Sequence, residues 1–428
     1  MTLAVLILSF TVLLFAGVPI SWAMGLSSLL AIVTGDLGVP AAWFAQQTIR
    51  GADEITLAAI PLFLFAGELM NRGGLTRRIV NVAEHMLGRI RGGLGLVNVA
   101  TALVYGGISG SATADTGAVG SIMIPAMTER GYPKAFAAAV TAAAGTLGII
   151  GPQSVILILY GALTNTSIGG LLLAGILPSL FVAAVMMMTT WIVARRHNFP
   201  RLETRFDARE VARDTALSLP ALAMPLIVLS TIVGGFATAT EASAIAVVYS
   251  FLVGTLVYRE LSWRDLYPAA VGAVTTTGVI MMIMALATPF SWILTVEQIP
   301  TLAADWISSF SSGPVVTVLL ILLVLSAVGF WLDLGPSLVI MTPILVPIAR
   351  DAGLQPFQIG VLFTITLGAG LFTPPVGTNI TVVCNIAKLD MYAVSKWLMP
   401  YWIASLVCIA GIALFPGLTE WLPSLFGI

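Results

Sequence analysis

The chain has 428 residues, 58% of them hydrophobic and only 9% charged, with 19 Lys and Arg against 20 Asp and Glu and a formal net charge of −1. A soluble globule of this length needs more charge than that to keep its surface wetted, and the mean hydropathy of +1.01 places the chain in a membrane. Little sequence is left over for a soluble domain: no GxxxxGK[ST] phosphate loop occurs, no nucleic-acid partner is expected, and membrane lipid is the surrounding medium.

The sequence is apolar from Leu3 onward, and its first basic residue is Arg50. It lacks the positive leading region of a cleaved signal peptide, so the first apolar run reads as a span. A spanning helix needs about 20 apolar residues. Runs near 2–17, 20–34, 55–71, 135–164 and 168–194 give five spans in the first half, and runs near 216–236, 241–258, 268–289, 356–387 and 397–415 give five in the second. Each half also holds a stretch, 94–128 and 314–349, whose polar centre predicts a re-entrant helical hairpin rather than two crossings. Amphipathic stretches near 76–91 and 292–310 precede the hairpins and predict interfacial arm helices. The fold class is therefore an all-α polytopic membrane protein, with about ten spanning helices and two re-entrant hairpins.

Charge sets the topology. Placed on these spans, seventeen of the Lys and Arg residues fall on one side of the membrane and only Arg50 and Arg350 on the other. The positive-inside rule makes the first side cytoplasmic and puts both termini outside. Five crossings per half also mean that the second half enters from the opposite side, so the halves are inverted-topology repeats. Their extents are 1–195 and 215–428, joined by a basic cytoplasmic linker at 196–214 whose Arg residues act as an orientation signal.

The repeats are legible because their interruptions match. GGISGSATADTGA (106–118) with LGIIGPQS (147–154) in the first half corresponds to LDLGPS (332–337) with GLFTPPVGTN (370–379) in the second. Pro125, Gly131, Pro133, Gly145, Pro152 and Pro178 recur as Pro347, Gly353, Pro356, Gly368, Pro375 and Pro400. Paired breaks in the two halves of a polytopic protein point to a transporter's binding site.

Unwound backbone survives at membrane depth only where protein or a cavity encloses it. Gly110, Gly148, Gly151, Gly335 and Gly377 permit positive φ, and Pro152, Pro374 and Pro375 remove donors and free carbonyl oxygens. Those carbonyls, with the hydroxyls of Ser109, Ser111, Thr373 and Thr378, are hard ligands suited to sodium as a coupling ion. Each break also starts a new helix, whose N-terminus favours a carboxylate. Gln153, Ser154, Thr378 and Asn379 are positioned to donate hydrogen bonds to such an anion. Asp333 aligns with Ser111 at a hairpin tip, where helix capping and cation contact weigh equally. Asp115 is a weaker candidate than Asp333. Glu68 precedes Arg72 by four residues and reads as a helical ion pair. His85 and His197 lack the spacing of a metal site, Cys384 and Cys408 read as packing residues, and no catalytic constellation is found.

At these residues the chain resembles the large membrane subunit, the DctM type, of a tripartite ATP-independent periplasmic (TRAP) transporter. The resemblance runs through RGGLGLVNVATALVYGGISGSATAD (91–115), IPAMTERGYP (124–133), TATEASA (238–244) and LFTPPVGTNI (371–380). It implies a sodium-driven importer of a small organic acid in the bacterial inner membrane, without enzyme activity or organic cofactor. It also implies two partners, a periplasmic substrate-binding protein and a small four-helix membrane subunit, the latter expected as a separate chain. The architecture implied is the elevator of the ion-transporter superfamily, with hairpins and broken helices sliding against a scaffold. Two departures stand out: Gln153 follows Pro152 where the family reads PPS, and Ala239 stands where it reads TPTEA. A stand-alone sodium/dicarboxylate-type symporter is the alternative.

Overall fold

The computed structural model describes residues 2–35, 37–201, 208–310 and 313–428, and no strand occurs among them. Eight helices among the described residues are long and apolar enough to cross a membrane. The difference from ten arises at both ends of the length scale. Thr2–Phe15 and Ile20–Thr34 have 14 and 15 residues and pack side by side. The two broken helices fall into short pieces, whereas Pro314–Trp331 and Leu334–Asp351 in the second hairpin reach 18 residues each.

The order arm helix, hairpin, broken helix occurs twice. In the first half it runs Leu75–Leu87, then Gly93–Ser109 and Ala112–Glu129, then Lys134–Ala144 with a 3-10 turn Gly145–Ile149 and, after the break, Val155–Thr164. The second half repeats it as Ile299–Phe310, Pro314–Trp331 and Leu334–Asp351, and Pro356–Gly370 with Thr378–Ala387.

Two boundaries differ from the sequence reading, and two helices are added to it. The second arm does not begin near Trp292, because Trp263–Val296 continues as one helix of 34 residues, about 50 Å long. The chain turns only at Gln298, where φ is +55, and Pro300 then lies in the first turn of Ile299–Phe310. The linker is shorter than 196–214, since Ala208–Val233 is already helical; 202–207 lie outside the described residues. Two amphipathic helices not anticipated from hydropathy, Ala41–Ala52 and Gly417–Leu425, are too polar or too short to read as spans.

Ala239 proves compatible with a helix start. Thr238 accepts the Glu241 amide at 3.3 Å while Glu241 accepts the Thr238 amide at 2.8 Å, so a reciprocal cap fixes the terminus without proline.

Trp263–Val296 lies against Ile20–Thr34, Ala41–Ala52 and Ala59–Arg72, and Ala239–Leu252 packs on Ala59–Arg72. The hairpins and broken helices interlock: Thr378–Ala387 lies against Ala112–Glu129 and Lys134–Ala144, and Leu334–Asp351 lies against Val155–Thr164 and also against Trp263–Val296. Each break is thus bracketed by its own hairpin and by an element of the other half.

Charged side chains of the connecting segments meet in space. Arg78 contacts Glu260 at 2.6 Å, Arg130 contacts Glu84 at 2.6 Å, and the His85 ring lies 3.4 Å from Asp214. These pairs tie the first arm helix to the segment before Trp263–Val296, to the hairpin end and to the start of Ala208–Val233.

Candidate functional site

Close approach, rather than positive φ, explains most of the glycines at the first break. Gly110 alone among the five adopts the left-handed region, at φ +66, where the first hairpin reverses. Its carbonyl accepts the Val155 amide at 3.4 Å, and a Cβ there would collide with the Gln153 carbonyl. Gly151 lies flat on Gly106 and Gly107, where a Cβ would come within 3.0 Å of the Gly106 carbonyl oxygen, and Gly148 lies against Gly106 and the Asp115 carboxylate. Backbone is pressed on backbone, so the hairpin tip and the broken helix form one structure.

Asp115 is the unexpected member of this site. It sits in the first turn of Ala112–Glu129, is fully buried, and accepts the Ser109 hydroxyl through Oδ1. Its other oxygen, Oδ2, has no hydrogen-bonding partner and faces Gly148. A buried carboxylate oxygen left without a donor is costly unless a cation shares the site. Sequence spacing ranked Asp115 below Asp333; what it could not show is that Gly106 and Gly148 leave room for the carboxylate to turn inward.

The second break is more open. Asp333 starts Leu334–Asp351 at its N-cap position but makes no capping hydrogen bond, and it is exposed, with the Thr378 hydroxyl 3.4 Å from Oδ1. Ser111 likewise occupies an N-cap position without capping. Gly335 has open space where a Cβ would stand, and Pro375 and Val376 are exposed. The carbonyls are less idle than proline content suggested: that of Leu371 accepts the Asn379 amide at 2.9 Å, and that of Thr373 accepts the Gly377 amide at 3.1 Å. The Leu371 carbonyl also accepts the Ile380 amide at 3.4 Å, whereas the Thr373 carbonyl keeps a second lone pair that a cation could use. The Thr373 hydroxyl is turned back to Ala369 at 2.7 Å, and Pro374 and Pro375 are joined by a cis bond.

The four residues read as anion donors are not gathered on one open surface. Ser154 is buried and caps Val155–Thr164, accepting the Leu157 amide at 3.1 Å and donating to the Ile149 carbonyl. Asn379 is buried and donates to the Ala142 carbonyl at 3.1 Å, joining the two broken helices. Gln153 is buried with both amide heteroatoms unpartnered. Thr378 is partly exposed beside Asp333.

A cavity of about 250 Å³ opens at the first hairpin tip instead. Ser109, Ser111 and Thr113 line one wall; Glu68, Gly272 and Thr276 line the facing one. Glu68 pairs with Arg72 at 3.5 Å, as its spacing implied. The sequence held one unread signal for the facing wall, a run of three threonines, Thr275 to Thr277, inside an otherwise apolar span.

Comparison with known proteins settles the family. The model of the DctM component of tripartite ATP-independent periplasmic transporters matches residues 7–418. The chain belongs to this DctM family. It is 35% identical to the 2,3-diketo-L-gulonate TRAP transporter large permease protein YiaN of Escherichia coli over 90% of each chain. It is also 35% identical to the sialic acid TRAP transporter large permease protein SiaM of Vibrio cholerae, over 97% of this chain and 96% of that one. The crystal structure of the Alcanivorax borkumensis YdaH transporter shares the fold, with a TM-score of 0.63 over 89% of this chain and 88% of that one at 13% identity. As a DctM component the chain is a membrane permease rather than an enzyme, and it is one component of a three-part transporter.

Proposed function

We propose that this DctM permease imports a small organic-acid anion, delivered by a periplasmic binding protein, down a sodium gradient. The observation that carries the reading is the construction of the first break. A hairpin tip lies on an unwound helix, and between them a buried carboxylate, Asp115, bonds to Ser109 and keeps one oxygen unpartnered. Sodium is held there by Asp115, Ser109 and Ser111 with backbone oxygens of Gly110, Gly148 and Gly151. A second ion is held by Asp333 and the backbone around Gly335, Thr373, Pro374 and Gly377.

The anion enters the cavity beside Ser111 and Thr113 and meets helix N-termini whose amides and dipoles favour negative charge. Gln153, Ser154, Thr378 and Asn379 belong to its surroundings, and Ser154 and Asn379 act by holding the breaks in register. Relatives are named for 2,3-diketo-L-gulonate and for sialic acid, which supports an organic acid as substrate class.

The two halves are inverted repeats, with both termini periplasmic in the bacterial inner membrane. The interlocked hairpins and broken helices move as one body against the helices around Trp263–Val296, and the small four-helix subunit extends that scaffold. The test is uptake into proteoliposomes holding the chain with its small subunit and binding protein, under an imposed sodium gradient without ATP. Uptake that needs the gradient is expected; uptake unchanged with sodium absent on both sides would overturn the coupling. Equal uptake by the chain alone would favour the stand-alone symporter.

A further inference from the structure

Away from the breaks, Ile176–Arg196 and Met391–Leu414 pack together and leave a groove of about 680 Å³ along their seam. Arg196, His197 and Lys396 stand at one end, and the walls below are apolar, reaching Val185 on one helix and Val407 on the other. No carboxylate lines the groove, and neither Arg196 nor Lys396 is in an ion pair among the described residues. The hydroxyl of Thr189 within the wall is already bonded to the Val185 carbonyl at 2.8 Å, so the depth offers nothing polar.

We propose that this groove binds an anionic phospholipid, the phosphate held by Arg196 and Lys396 and one acyl chain lying along the seam. Charge complementarity fixes the headgroup, because two cations outside any ion pair at the mouth of an apolar channel, Lys396 resting over the Tyr392 ring at 4.6 Å, suit a phosphate and repel a zwitterion's ammonium. Length fixes the chain: from Arg196 to Val185, and from Lys396 to Val407, the groove descends eleven helical residues, about 16 Å. That is about half of a 30 Å hydrocarbon core, the depth of one leaflet. Trp397 borders the mouth with the His197 ring 4.8 Å away, an aromatic anchor at the level where headgroups meet hydrocarbon. The leaflet is the cytoplasmic one, which rests on the orientation proposed above.

Both helices also pack on the interlocked body: Phe136 meets Trp397 with ring centroids 5.6 Å apart, and Gly95 lies against Thr190. A lipid in the seam therefore travels with that body.

Native mass spectrometry of the full chain, taken from nanodiscs of equal parts phosphatidylglycerol and phosphatidylcholine, tests the site. Retained phosphatidylglycerol is expected to exceed phosphatidylcholine severalfold, and Arg196→Gln with Lys396→Gln is expected to cut it about tenfold. Lys134→Gln, on an exposed residue that does not line the groove, is expected to change nothing. Ala404→Trp, in the apolar wall, is expected to lower retention with the cations intact. Equal retention of the two lipids, or no effect of the double substitution, would overturn the site. Displacement by free glycerol phosphate would reduce it to a phosphate site, and displacement by the small subunit would make the seam a protein interface; either overturns the proposal. Labelling of Lys396→Cys by an impermeant maleimide from outside the cell would overturn the orientation alone.

Discussion

The Asn379 side-chain amide donates to the Ala142 carbonyl at 3.1 Å, and this bond joins the helix that follows the second break to the helix that precedes the first. Asn379 is fully buried, and Gly145 leaves room beside its Nδ2, where a Cβ would come within 3.1 Å. Asn379→Ala removes the donor and is expected to cost about 1–3 kcal/mol of stability. Because the bond crosses between halves, uptake is expected to fall further than stability does. Thermal unfolding of the purified variant beside proteoliposome uptake checks this; uptake falling no more than the folded fraction would reduce Asn379 to packing.

Ser109 and Asp115 supply a sharper test of the coupling ion. Asp115→Asn keeps the volume and the contact with Ser109 but removes the charge, so the sodium concentration for half-maximal uptake is expected to rise at least about tenfold. Ser109→Ala is expected to act in the same direction with a smaller effect, since it removes a neutral ligand. Asp333→Asn, at the exposed second tip, is expected to shift sodium dependence less than Asp115→Asn. Sodium titration of uptake at saturating substrate distinguishes the three.

Much of this arrangement is written in the sequence, because Gly and Pro cannot be hidden in an apolar span. The offset of Gly110 and Pro152 against Leu332 and Pro375 locates both hairpin tips and both breaks. Hydropathy fails where no breaker marks a boundary, as between Pro289 and Glu297, where one helix runs through the boundary that the sequence reading drew. It also fails on direction. Asp115 and Asp333 look alike as acids near a tip, yet one is buried against Gly148 and the other is exposed. Which way a side chain turns depends on the element packed opposite, and that contact spans tens of residues.

Outside the spans, Glu420 gives a pH prediction. It lies in the C-terminal helix Gly417–Leu425 and accepts the Gln358 amide at 3.0 Å, anchoring that helix to the start of the second broken helix. Burial raises its carboxyl above the ordinary range, against the lowering effect of the bonds from Gln358 and Thr419. The folded chain then holds a proton that the unfolded chain releases first, so this group's contribution to stability falls as pH rises from the ordinary carboxylate value through the raised one. Glu420→Gln retains an acceptor for the Gln358 amide and has no charge to bury. Its melting temperature is expected to exceed that of the unchanged chain near neutral pH and to converge with it near about pH 4. A constant difference across that range would mean that titration of Glu420 plays no part.

Gln153 is the residue at which the sequence, by its resemblance, is expected to depart from a PPS pattern, and its surroundings give that departure a measurable signature. Its side chain is fully buried, and neither amide heteroatom has a partner, an arrangement that costs on the order of 1–3 kcal/mol. An apolar residue of similar length escapes that cost, so Gln153→Met is expected to raise thermal stability by about that amount. If the amide meets the substrate during transport, the same substitution is expected to raise the apparent KM for uptake about tenfold, with the maximal rate less affected. Gln153→Pro restores the family pattern and is expected to shift preference among organic acids. Stability and affinity moving in opposite directions would identify a polar group kept for its ligand. A substrate profile and apparent affinity left unchanged by Gln153→Pro would sink the specificity role, because an amide that met the substrate could not be exchanged for a ring without a donor and leave binding as it was.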